Sequence, residues 1–332
     1  MGDTIVLLAP CMGVGKAAAM VTRRAAYLVH QAHSKTTVLL SLPALLAGDR
    51  EQHRLARKLP VVLMNGCAHR CASRILASLG VQPVAAIEVV KIMAETKTGP
   101  GKARRELEVS GKRLAAAVAK RMECAMNSAA AWTPTLNLPG HASTPQKRCA
   151  CMTVPDRRNS GGGDGAPPRY VTLLPCQGIR RRGGRVTQRA AYCLDEDLFP
   201  GKTLLLCLPA LAVSVQEDVD MLEQFPVVAL NGCGVRCATK IAKKYGVRPA
   251  VSVDANGTVR GFDGGRECAL PDLTASEVKA GARLADVAAP VVSALLAGKR
   301  QRWRARLAQR CTSRPSKTRC CCKGSGGARK TS

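Results

Sequence analysis

The sequence predicts an α/β protein made of two tandem small domains, each a mostly parallel sheet flanked by helices. Three observations predict it. The heptapeptide "NGCAHRC" at 65–71 returns as "NGCGVRC" at 231–237, half the chain length further on. Around it the whole order of segments repeats, and a period of that size marks a duplicated domain. Within each copy, short continuous apolar runs alternate with helix-like stretches, the pattern of parallel strands buried on both faces.

The strand candidates in the first copy are Ile5–Ala9, Val38–Leu42, Val61–Met64 and Val84–Val90; in the second they are Val171–Leu174, Leu204–Leu208, Val227–Leu230 and Ala250–Val253. The correspondence extends between strands. "PCMG" and "VTRRAAYL" within 10–28 answer "PCQG" and "VTQRAAYC" within 175–193, "VLLSLPALL" answers "LLLCLPALA", and "GKRLAAAVAK" faces "GARLADVAAP". In copy two, "DANGTVRGF" predicts a hairpin turning at Asn256-Gly257.

The resulting organisation is repeat 1 over 1–127, a linker over 128–168 rich in Pro, Gly, Ser and Thr, repeat 2 over 169–298, and a basic tail over 299–332. His141, Cys149 and Cys151 fall in that linker and receive no site. With 46% hydrophobic residues and only 3% aromatics, the cores must be Leu, Val, Ile and Ala. The longest apolar stretch, broken by Pro43, is too short for a membrane span. "MGDTIV" lacks a basic leader region, so the cytoplasm is the expected location, with the nucleus as an alternative suggested by the tail.

The net charge of +28 is unevenly distributed. The tail has twelve Lys or Arg and no acidic residue, a composition that stays unfolded and attracts polyanions without sequence readout. Non-specific polyanion contact through 299–332 is the expected partner chemistry there.

Sixteen cysteines without a secretory leader point to metal binding, redox chemistry or buried thiols rather than a disulfide framework. In repeat 2, Cys176, Cys207 and Cys233 each end a predicted strand, and Cys237 follows one helical turn after Cys233. Parallel strands place all their C-terminal ends on one sheet edge, where open α/β folds bind ligands. Gly232 is expected to supply the backbone angles of a tight strand-to-helix turn. The helix start favours thiolates, the form that binds metal. Arg236 and Lys240, with Arg70 and Arg74 in repeat 1, would offset the charge of a zinc tetrathiolate. In repeat 1 the matching positions are Cys11, Cys67 and Cys71, but Ser41 stands where Cys207 stands. That copy either recruits His69 as a fourth zinc ligand, keeps an open position, or has lost its site. Cys124 and Cys193 fall on apolar helical faces and are assigned to the core.

Other chemistries find less support. "PCMGVGKAA" lacks the first glycine of a phosphate loop and has Ala17 in place of the magnesium-holding hydroxyl. No Ser/His/Asp triad or paired carboxylates accompany the cysteines. The competing class is redox: Cys233 and Cys237 exchanging between dithiol and disulfide, or carrying a persulfide.

The order PCxG, VTxRAAY, CLPAL and (D/N)GCxxxCA resembles the DGC domain family, named for its Asp-Gly-Cys motif and associated with zinc binding. The resemblance spans about 5–95 and 170–255. It implies zinc as cofactor, with chelating cysteines at Cys176, Cys207, Cys233 and Cys237, and at Cys11, Cys67 and Cys71 in repeat 1. Asn65 and Asn231 occupy the position of the family's Asp, which removes a negative charge from each motif.

Overall fold

Residues 4–129, 167–265 and 272–299 are described by a computed structural model of the chain. Repeat 1 runs β1 (Val6–Pro10), α1 (Ala17–Ala32), β2 (Thr37–Leu39), α2 (Leu42–Leu46), α3 (Arg50–Lys58), β3 (Val61–Asn65), α4 (Cys71–Ser78), β4 (Ala85–Glu88), α5 (Val89–Thr96) and α6 (Val109–Ala129). Repeat 2 runs β5 (Val171–Pro175), α7 (Arg182–Tyr192, continuing into a π-type turn over Cys193–Leu198), β6 (Thr203–Leu205), α8 (Leu208–Ala212), α9 (Gln216–Gln224), β7 (Val227–Asn231), α10 (Cys237–Lys244), β8 (Val251–Asp254), α11 (Ala255–Thr258) and α12 (Ala275–Leu296).

Each repeat is a four-stranded, wholly parallel sheet, ordered β2-β1-β3-β4 and β6-β5-β7-β8. All eight strands lie at or within a few residues of the apolar runs that predict them. The second strand is shorter than expected in both copies, because "SLPAL" and "CLPAL" turn into helices α2 and α8 with proline in the first turn. Proline lacks an amide hydrogen, so it suits a helix start and not a ladder. The expected hairpin at 254–262 is replaced by α11, a single helical turn containing Asn256 and Gly257. Strand β8 is already an edge strand, and its chain turns back toward α7 instead of adding another strand.

Side chains alternate across each sheet, as the period of a strand requires. Val6 and Leu8 of β1 pack under α1 and α6, whereas Leu7 and Ala9 face α3 and α4. Cys193 is buried as expected, but Cys124 is exposed. The buried stripe of α6 runs through Leu114, Val118 and Met122, and residue 124 lies well off it around the helix.

The repeats share their cores. Helix α8 of repeat 2 packs on α4 of repeat 1, while α2 of repeat 1 packs on α10 of repeat 2. Ala210, Val213 and Val215 join the core that holds Leu63, Ile75 and Leu76. Reciprocally, Ala44, Leu46 and Ala47 cover the core around Leu208 and Ile241. The seam is pinned by Arg74 Nη2 donating to the Val213 carbonyl at 2.7 Å and by Arg104–Asp195 and Arg180–Glu51 ion pairs at 2.8 and 3.0 Å. Helix α6 runs to Ala129, two residues past the expected end of repeat 1. The remainder of the linker and the tail from residue 300 lie outside the described residues.

Proteolytic or engineered cleavage within 130–166 should leave the halves together in a single gel-filtration peak. Recovery of two separate folded monomers would contradict the exchange of α2 and α8.

Candidate thiol site

The strand order creates the site. After β1 the chain moves outward to β2, then returns to lay β3 on the other side of β1. The crevice at such a reversal is where the strand ends leave room for a ligand. Cys11 follows β1 and Cys67 follows β3, flanking that crevice; Cys176 and Cys233 do the same after β5 and β7.

The structure groups the cysteines differently from the sequence expectation. A cavity of about 10 Å³ is lined by Cys11, Cys67, Cys71 and Cys207, with Lys16. A second, of about 20 Å³, is lined by Cys176, Cys233 and Cys237, with Ser41 as the counterpart and Arg181 as the basic neighbour. Thus Cys207, expected to complete repeat 2, joins the repeat 1 set, and Ser41 joins repeat 2. A Cβ placed on Gly13 would stand 3.1 Å from Cys207 Sγ and 4.0 Å from Cys11 Sγ; one on Gly178 would stand 3.4 Å from Ser41 Oγ and 3.9 Å from Cys176 Sγ. The cause is the exchange of α2 and α8, since Ser41 and Cys207 are the N-cap residues of those helices. His69 is buried but does not line the repeat 1 cavity. Among the described residues, no three His, Cys, Asp or Glu side chains stand in ready coordinating geometry.

The thiols instead pair with each other. Cys71 donates its S–H to Cys67, and this bond, aided by Lys16, lowers the Cys67 pKa from 9.0 to about 5. Cys71 is pushed well above its ordinary value by the same bond and by burial. In repeat 2, Cys237 donates to Cys176, which drops to about 7 with help from the Gly178 and Gly232 amides and Arg181. Cys233, expected to be activated by the helix start, is raised by burial and by Cys176. The acidic thiols are therefore Cys67 and Cys176.

Three of the four cations expected to neutralise thiolates are engaged elsewhere, and the fourth, Lys240, is exposed. Arg70 pairs with Glu88 at 2.9 Å and Arg236 with Asp254 at 3.0 Å, while Arg74 reaches Val213. Lys16 and Arg181, from the first loop of each repeat, stand in their place.

The glycine of each NGC motif also has a different role from the one expected. Neither Gly66 nor Gly232 has a positive φ; the left-handed residues within the two motifs are Arg70 and Arg236, at φ 50° and 55°. Gly232 is required by close approach, because a Cβ there would stand 2.2 Å from the Gly183 carbonyl carbon. The Asn before each glycine clamps the turn. Asn65 Nδ2 donates to Ser73 Oγ at 2.6 Å and to Glu88 Oε1 at 3.0 Å, and Asn231 Nδ2 donates to Thr239 Oγ1 at 2.8 Å. A carboxylate at 65 would lose both donations and face Glu88.

Several contributors carried no assigned role in the sequence, although repetition of their motif signalled them. Thr22 and Thr187 of "VTxRAAY" donate to the Cys11 and Cys176 carbonyls at 2.7 and 2.6 Å, fixing each first cysteine to its helix. Behind Cys207 lies Asp218, whose Oδ1 accepts from the Cys207 amide at 2.9 Å. Burial raises the Asp218 pKa to about 7. Its Oδ2 is buried without a hydrogen-bond partner among the described residues. Gln52 makes the equivalent contact to Ser41 at 2.9 Å.

Two outcomes follow from this geometry. Asn65→Asp should destabilise the protein by about 2 kcal/mol in urea unfolding, the scale of a buried hydrogen bond left unmade; unchanged stability would contradict the clamp. In metal-free protein, a thiolate titration followed by ultraviolet absorbance should show one transition near pH 5, displaced upward by Cys71→Ala, because removing the S–H donor disfavours the charged form.

No curated protein matches the chain significantly. No solved structure does so either. The DGC domain family matches over residues 7–128 and 172–263, one stretch in each repeat. With the paired parallel sheets and the duplicated cysteine motif at their switch points, the chain belongs to the DGC domain family, in two tandem copies.

Proposed function

We propose that the chain binds a single zinc ion through Cys11, Cys67, Cys71 and Cys207, at a site completed only by the union of its repeats. The observation that carries the reading is the gathering of these four sulfurs, from distant parts of the sequence, around one ion-sized cavity. Four thiolates form a closed tetrahedral set for zinc, which then supports structure or metal handling and leaves no position for substrate. The donors suit that ion. The Cys71 S–H bond holds the Cys67 pKa down to about 5, Lys16 offsets part of the accumulated charge, and Cys11, Cys71 and Cys207, all raised, would release protons on binding. The present Cys67–Cys71 hydrogen bond would be given up as both sulfurs turn to the metal.

The cavity around Cys176, Cys233 and Cys237 suits zinc less well. Its fourth member, Ser41, is a poor ligand whose Oγ already accepts from the Ala44 amide at 3.4 Å as a helix cap. At the equivalent position Cys207 presents a sulfur, which the Ala210 amide approaches and which zinc prefers to a hydroxyl oxygen.

A second reading is dithiol–disulfide exchange, favoured by one observation: the acidic Cys67 beside its S–H partner Cys71. This moves the redox candidate from Cys233/Cys237 to Cys67/Cys71.

Elemental analysis of the full chain should find about one zinc per chain, the capacity of one tetrahedral set. Cys207→Ser should abolish it, and Cys176→Ser should leave it. Ser41→Cys should raise the content toward about two zinc ions per chain by completing the second set. Loss on Cys176→Ser but not on Cys207→Ser would overturn the cross-repeat assignment. No zinc, together with a Cys67–Cys71 disulfide forming reversibly, would favour the redox reading.

A further inference from the structure

Between the repeats lies a larger cavity, of about 410 Å³, within the range of roughly 300–1,000 Å³ typical of small-molecule sites. It is built from equivalent halves of the two "VTxRAAY" helices, α1 and α7. Tyr27 crosses to donate to the Ile179 carbonyl at 2.6 Å, and the Gly15 amide crosses to donate to Tyr192 Oη at 3.0 Å. These reciprocal bonds hold two aromatic rings in the wall. Met12, Met20, Leu107 and Ile179 add apolar surface.

The polar part of the wall is cationic. Arg23, Arg24, Arg105, Lys112, Arg185 and Arg189 line the cavity, against Glu106 and Asp272 as the acidic members. Four of the six cations are matched: Arg24 by Asp272, Arg105 by Glu196 and Asp197, Arg185 by Glu277 at 3.3 Å, and Arg189 by Glu106 at 3.8 Å. Arg23 and Lys112 have no carboxylate within ion-pair distance among the described residues. Beside them Gln188, 5% exposed, keeps its Nε2 donor buried without an acceptor among the described residues. A buried donor left without an acceptor is costly unless a ligand compensates it, and the half-buried Arg23 and the exposed Lys112 at the rim leave positive charge beside it for an anion.

We infer that this cavity is a binding site for a small organic phosphate monoester. Its dianionic head would meet the two surplus charges of Arg23 and Lys112, and its apolar or aromatic body would lie against Tyr27 and Tyr192. A group carrying two charges matches the surplus better than a single carboxylate, and arginine is well suited to phosphate oxygens. The site stands apart from the zinc reading: its chemistry uses none of the cysteines, and only Gly178 is common to it and a thiol cavity.

The test is calorimetric titration of the full chain with phenyl phosphate at physiological salt, with inorganic phosphate in a parallel arm. Phenyl phosphate should bind saturably at one site per chain and more tightly than inorganic phosphate. Arg23→Gln should weaken it about tenfold, the effect of one lost charge-assisted contact. Lys112→Ala, at an exposed position that tolerates truncation, should weaken it severalfold. Arg57→Gln, on the exposed face of α3, should have little effect. Absence of saturation, equal weakening by Arg57→Gln and Arg23→Gln, or phosphate binding as tightly as phenyl phosphate would each overturn the assignment. Cys207→Ser should bind phenyl phosphate as the unaltered chain does, so failure here is separable from failure of the zinc reading.

Discussion

The rest of the structure depends on the exchange of two short helices. Strands β2 and β6 stand at the sheet edges and are only three residues long. Each is followed by Leu-Pro-Ala-Leu, an apolar segment too short to cover a core of its own. Burial of such side chains stabilises a fold by roughly 1.5–3 kcal/mol each. Here that burial is divided between the two repeats. Leu208 and Leu211 remain in the repeat 2 core while Ala210 and Val213 reach across. The duplicated units are therefore not independent domains on a string, because each supplies part of its neighbour's interior.

The exchange decides the chemistry of the strand ends. Ser41 and Cys207 initiate the exchanged helices, so each travels with its helix to the other repeat's crevice. A chain with identical copies would form two equivalent composite cavities. The difference at this one pair makes them unequal: one carries four sulfurs, and the other three sulfurs and a hydroxyl. Divergence of the partners behind them deepens the asymmetry. Gln52 supports Ser41 as a neutral acceptor, whereas Asp218 supports Cys207 as a buried acid whose protonation is balanced near neutrality. The apparently incomplete repeat 1 thus holds the fuller set.

The same pseudo-symmetry shapes the cavity between α1 and α7. Tyr27 and Tyr192 make reciprocal contacts to the first loop of the opposite repeat, but the position of Arg23 in one helix is taken by Gln188 in the other. The two sides of the cavity therefore differ in charge. Both kinds of cavity arise at the seam, where small substitutions in one copy alter a surface shared by two.

The sequence by itself determined the duplication, the strands and the concentration of cysteines at strand ends. Those features are local or periodic: apolar runs, proline at a helix start and the repeated order of motifs each act within a few residues. Even the switch-point position of Cys11 and Cys67 was legible, since all parallel strands end on one edge. The destination of Cys207 was decided only in three dimensions. Nothing in "LLLCLPALA" states which core will bury the helix it opens, because that depends on competing surfaces brought together by the whole chain. The roles of Gly232, Arg70 and Asn65 were hidden for a related reason. Close backbone approach, a left-handed turn and a carboxylate across the sheet are relations between segments, and a linear pattern records only their members.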